Sequence, residues 1–133
     1  MIPFEFTVKG PPLSQQAKSR SKMRWRARVM QAAQAEIPNG CSLVADDVAL
    51  RIAYYYEGDS PDVDNIIKPI QDALEGVVYV DDAQVVKTES SKVRIDGSFT
   101  IRGASAVLLQ AFSERDPFLH VQVTLPPDMS NLT

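Results

Sequence analysis

Three stretches of the 133-residue chain place apolar side chains at every second position, and they limit the possible fold more than any other feature. Residues 2–8 set Ile2, Phe4, Phe6 and Val8 against Pro3, Glu5 and Thr7. Residues 48–56 set Val48, Leu50, Ile52, Tyr54 and Tyr56 against Ala49, Arg51, Ala53 and Tyr55. Residues 118–125 set Leu119, Val121, Val123 and Leu125 against His120, Gln122 and Thr124. A period of two is that of a strand with one face on a core.

The segments between them change period. In residues 21–37, Met23, Ala27, Met30 and Ala33 fall near helical spacing, and Pro38-Asn39-Gly40 closes the run. Ile66, Ile67, Ile70, Ala73 and Leu74 form the stripe of a second helix, ended by Gly76 in a left-handed position. Pro69 requires that helix to begin near Asn65 or Ile66, because a proline deeper inside would lose a bond and clash. Ala104, Val107, Leu108, Ala111 and Phe112 mark a third helix, ended by Arg115 and Asp116-Pro117. Residues 77–80 and 84–95 are β-rich and flank Asp81-Asp82, which reads as a hairpin. Asp96-Gly97 is a turn signal, residues 99–102 read as a short strand, and Pro126-Pro127 leads into a polar, frayed tail over 126–133. The expectation is one α+β domain over 1–133, a mixed sheet with helices packed on it.

No apolar run approaches the roughly 20 residues of a membrane helix, and residues 1–8 lack the basic start of an export signal. The lone Cys41 and lone His120 exclude a Cys/His zinc site and an internal disulfide. A soluble protein of a reducing cytoplasm is expected, with no membrane partner.

The net charge of −3 argues at first sight against a nucleic-acid partner, but its distribution reverses that impression. Residues 1–35 carry seven basic side chains and one acid, a net +6; residues 36–133 carry seven basic side chains and sixteen acids, a net −9. Lys18, Arg20, Lys22, Arg24, Arg26 and Arg28 occupy every second position, a cationic surface suited to phosphate backbones. In an extended loop Lys18, Arg20 and Lys22 share a side; in a helix Arg24 and Arg28 share a face. Trp25, inside the stripe, has two readings, a core residue or a platform for an unpaired base.

Residues 57–82 hold eight acids and one base, Lys68. A solvated acidic face is one reading. Asp62 and Asp64, two apart, project to the same side of an extended segment at the mouth of the second helix, although Asp64 or Asn65 also suits a plain N-cap. Asp81 and Asp82 reach the same place if residues 77–80 lie beside residues 48–56. Two carboxylates about 4 Å apart repel by roughly 4 kcal/mol at an effective dielectric near 20, so such a convergence needs protonation or a bound cation. An all-oxygen set fits Mg²⁺, or Mn²⁺. Lys68, four residues after Asp64, either overhangs that site or makes a surface ion pair, and Asp72 either holds it or faces solvent. Glu57, Asp59, Asp46 and Asp47 read as solvated.

Asp62-Val63-Asp64-Asn65-Ile66-Ile67-Lys68, Asp72-Ala73-Leu74 and Val77-Val78-Tyr79-Val80-Asp81-Asp82-Ala83-Gln84-Val85-Val86 together resemble the RusA-type Holliday junction resolvases, closely over residues 62–94. The resemblance implies a homodimeric, Mg²⁺-dependent endonuclease that nicks four-way DNA junctions symmetrically. It implies catalytic roles for Asp62, Asp64, Asp82 and Lys68; with the reading of the residues themselves, Asp62, Asp64, Asp81 and Asp82 are expected at the metal and the basic side chains of 18–28 on DNA. Pro69 and the segment 96–133 depart from the family pattern. Two other readings stand beside this one: a nuclease for other branched DNA, and a junction-binding protein whose acids hold a structural ion.

Overall fold

The computed structural model describes residues 1–13, 18–58, 66–95, 102–114 and 116–127. Its elements are β1 (Phe4–Lys9), α1 (Ser19–Glu36), β2 (Val48–Tyr56), α2 (Ile67–Leu74), a 3-10 turn (Asp82–Gln84), β3 (Val85–Arg94), α3 (Ala106–Ser113) and β4 (Phe118–Thr124). The four strands form one mixed sheet in the order β1-β4-β2-β3. β4 is antiparallel to both β1 and β2, while β2 and β3 are parallel. A parallel pair needs a crossover, and α2 supplies it. The small α+β architecture is therefore the one the periodicities predict.

Each alternating run delivers one face to the core. Phe4, Phe6 and Val8, Val48, Leu50, Ile52 and Tyr54, and Leu119, Val121 and Val123 are all buried. Trp25, Val29 and Ala33 of α1 and Ile70, Ala73 and Leu74 of α2 cover that face in a single cluster. α1 packs on β1 and α2, and α3 lies against β1. Trp25 is thus a core residue, at 4% exposure.

Pro69 sits at the third residue of α2, which starts at Ile67. The first four helical N–H groups have no intrahelical partner, so the missing N–H there costs nothing. Gly76 follows the C-cap Glu75 at φ +80°, the left-handed position that ends the helix.

The structure corrects one expectation and decides between two others. Residues 77–80 do not pair with β3 in a hairpin: Val77, Val78 and Tyr79 are buried in a turn directly after α2, and Tyr79 makes only isolated bridges to Val44 and Glu75. Packing under the helix end outweighs β propensity for so short a run. It is β3, beginning opposite Val48, that lies beside β2. Of the two arrangements open to the basic segment the helical one forms, from Ser19, two residues earlier than the periodicity indicates, so Arg20, Lys22, Arg24, Arg26 and Arg28 are all helical. Asp96-Gly97, most of the short strand at 99–102 and the tail from 128 lie outside the described residues. No described helix is long and apolar enough to cross a membrane.

Ile70 is fully buried between sheet and helix, whereas Val86 is about half exposed on the edge strand. Ile70→Ala should cost about 2–5 kcal/mol in urea unfolding, and Val86→Ala no more than about 0.5 kcal/mol.

Candidate active site

The acidic pair after α2 is held by a single side chain. Gln84 Oε1 accepts hydrogen bonds from the backbone N–H of Val80 at 3.0 Å and of Asp81 at 2.8 Å. Its Nε2 donates to the carbonyls of Val44 and Asp46, both at 2.8 Å. Asp81 closes the other half of a capping box, accepting from the Ala83 N–H at 2.9 Å. The arrangement straps the incoming segment at Val44 to the turn and starts the 3-10 helix at Asp82. Val44 N–H also donates to the Val78 carbonyl, and Val80 N–H to that of Val44.

Asp81 and Asp82 consequently differ in role. Asp81 is exposed and spends one carboxylate oxygen as a cap; Asp82 is half-buried. Beneath them the fully buried Tyr79 donates its hydroxyl to the Gln71 carbonyl at 2.6 Å, joining the turn to the middle of α2. Burial raises the pKa of that hydroxyl well above its ordinary value, and the charges of Asp82, Asp72 and Glu75 raise it further. The same three charges and burial act on one phenol, and the tyrosine stays protonated as a donor.

Lys68, in the first turn of α2, pairs with Asp72 at 3.3 Å one turn later. Both are substantially exposed, so the pair adds little stability but orients the ammonium along the helix face that carries Asp72. Asp62 and Asp64 lie outside the described residues. Of the predicted acidic site, the structure therefore brings Asp81, Asp82 and, through α2, Lys68 and Asp72 to one region. Among the described residues no three His, Cys, Asp or Glu side chains form a metal cage. Among the described residues the acidic side chains here are carboxylates, which are hard oxygen donors. Gln84 and Tyr79 escaped sequence reasoning. The signal for Gln84 was present, an acid followed three positions later by Gln, which is a capping-box spacing.

The basic helix breaks the electrostatic rules of helices. The N-cap is Lys18, without a side-chain cap; the first turn has no acid, the last turn no base, and Glu36 ends the helix. Cations thus sit at the positive end of the macrodipole and an anion at the negative end, the unfavourable arrangement at both. Arg20, Arg24 and Arg28 stack at i, i+4, as do Lys22 and Arg26, each like-charged pair costing about 0.2–0.5 kcal/mol. All six basic residues from Lys18 to Arg28 are exposed. An anion beside the N-terminus of α1 would offset that penalty. Arg28 also serves the fold, since it donates to the Lys9 carbonyl at 2.5 Å and lies 5.2 Å from the centre of the Trp25 ring.

Comparison with known families adds a finding: the family model for endodeoxyribonuclease RusA matches residues 7–101, which includes α1, α2, the capped turn and β3. A comparison with curated protein sequences gave no match.

Gln84→Ala removes four hydrogen bonds at once and should lower stability by about 1–3 kcal/mol in denaturant unfolding. Arg20→Gln with Arg24→Gln should leave stability nearly unchanged and lower the slope of log affinity against log salt for DNA by about 1 for each phosphate that is no longer neutralised.

Proposed function

The chain belongs to the RusA endodeoxyribonuclease family, whose members resolve Holliday junctions, and from that premise we propose that it hydrolyses phosphodiesters in four-way DNA at a Mg²⁺ site formed by Asp62, Asp64 and Asp82. The observation that carries the reading is the half-buried Asp82, held by the Gln84 capping box beside the buried Tyr79 and the charges of α2. Asp64 precedes Ile67, the first residue of α2, by three residues, so at most about 11 Å of chain separates it from the helix that carries Lys68 and Asp72.

In this reading Asp62, Asp64 and Asp82 hold the ion. A bound Mg²⁺ supplies a more acidic water and stabilises charge on the leaving oxygen. Asp81 contributes a free oxygen at most, since its other is a cap. Lys68, steered by Asp72, places positive charge where negative charge develops on the phosphoryl group. Tyr79, kept protonated, holds the turn and α2 at a fixed spacing. The exposed cations of α1 grip backbone phosphates and set affinity without choosing sequence. Two copies related by a two-fold axis would offer one site to each of the symmetry-related strands of a junction, which is the physical motive for a homodimer. The free, exposed Cys41 fits a reducing cytoplasm.

Asp82→Asn should lower cleavage of an immobile four-way junction by roughly 100-fold or more while binding persists, and chelation of divalent ions should do the same to the unaltered protein. Undiminished cleavage by the variant would remove Asp82 from the site.

A further inference from the structure

The register of β3 changes once, next to the acidic turn. Val85 lies opposite Val48, but the next partners are Lys87 opposite Ala49 and Thr88 opposite Leu50, so Val86 is an extra residue, a bulge in the ladder. Residues opposite each other share a face of the sheet, and successive residues alternate between faces. Beyond the bulge Thr88, Ser90, Lys92 and Arg94 therefore lie level with Leu50, Ile52, Tyr54 and Tyr56, on the face that α1 and α2 cover. Lys87, Glu89, Ser91 and Val93 take the other face, where Glu89 pairs with Arg51 at 2.9 Å.

The cover stops short of the first row. Leu50, Ile52 and Tyr54 are buried, whereas every residue of β3 after Val85 is exposed. An exposed edge strand needs charge to deter pairing with other chains, and charge on either face would serve. The two faces of β3 differ instead. The outward one carries a base and an acid, and the acid is ion-paired; the inward one carries two hydroxyls, two cations and no acid. An unbroken register would place Lys87 opposite Leu50 and turn Lys87, Glu89, Ser91 and Val93 inward, with a carboxylate in the middle of the row. The bulge thus sorts the strand and presents its positive row on the same side of the sheet as α2. Bulges recur next to active sites, where they re-aim side chains.

The row also lies in a useful place. Asp82 precedes Val85 by three residues, so at most about 11 Å of chain joins the acidic turn to the start of β3. β1 and β3 are the two edges of the sheet, and α1 packs on β1 and on α2, so α2 lies between the cations of α1 and the β3 row. DNA brought to a group of carboxylates meets fixed negative charge, and cations on both flanks offset that repulsion. Hydroxyls and a lysine are donors that contact phosphate oxygens without reading sequence.

We propose that Thr88, Ser90 and Lys92 form a second track for the DNA backbone, on the flank of α2 opposite the basic helix. The track rests on the nuclease reading and gives the DNA a path along β3 from the acidic turn.

Lys87 and Lys92 are exposed lysines on opposite faces of one strand, so each is the control for the other. Binding of an immobile four-way DNA junction is measured with divalent ions chelated, so that no cutting intervenes. Lys92→Gln should weaken it about 5-fold at low salt and lower the slope of log affinity against log salt by about 0.9. Lys87→Gln should change neither. Thr88→Val with Ser90→Ala should weaken binding and leave the slope as it was, because no charge is lost. All four side chains are exposed, so the fold tolerates their replacement. An unchanged slope in Lys92→Gln, or an equal fall in Lys87→Gln, would overturn the assignment. If Arg20→Gln with Arg24→Gln lowers the slope and Lys92→Gln does not, the β3 track alone is removed. A junction that the unaltered protein neither binds nor, with Mg²⁺, cuts would overturn the nuclease reading and the track with it.

Discussion

Burial of one face of a four-stranded sheet is the constraint on which the remaining structure depends. Strands β4 and β2 lie in the middle, and their inward side chains are sealed beneath α1 and α2. Because β2 and β3 are parallel, the chain must cross over the sheet between them, and α2 is that crossover. The crossover carries Lys68 and Asp72 on one helix and delivers the chain to Asp81 and Asp82 at its end. Hydrophobic burial therefore sets where the polar chemistry is displayed, although Lys68, Asp72, Asp81 and Asp82 are no part of the core.

The polar regions each break a local rule. α1 bears cations where its dipole disfavours them, an acidic pair is fixed at a tight turn beside further carboxylates, and a buried imidazole nitrogen has no partner. Each departure costs stability, and the apolar face offsets the total. Such departures concentrate where a protein meets a ligand, because the missing interaction is then supplied from outside. Two of them, on α1 and α2, share one side of the sheet, and His120 lies on the other.

Much of this was legible in the residues. The period-two runs located β1, β2 and β4 and identified their inward side chains, and the apolar stripe of α2 and the stop at Gly76 were equally plain. The family motif over residues 62–94 agrees with the family match over 7–101. Residues 77–80 misled because a short β-branched run is indistinguishable, by composition, from a buried turn. Where Asp62 and Asp64 lie is not a local property: their spacing would set both on one side of an extended segment without saying what that side meets.

Periodicity, turn residues and the order of charges along the chain determined by themselves which segments are strands or helices, which side of each is apolar, and that basic and acidic functions are separate, because these follow from near-neighbour geometry. Only the tertiary structure decided that β3 and not residues 77–80 lies beside β2, that Gln84 locks the acidic turn to Val44 and Asp46, and that Glu5, Arg51 and His120 share a cavity. Those contacts join residues about 40 to 115 positions apart. Their partners are chosen by competition for space in a packed core, which no local pattern encodes.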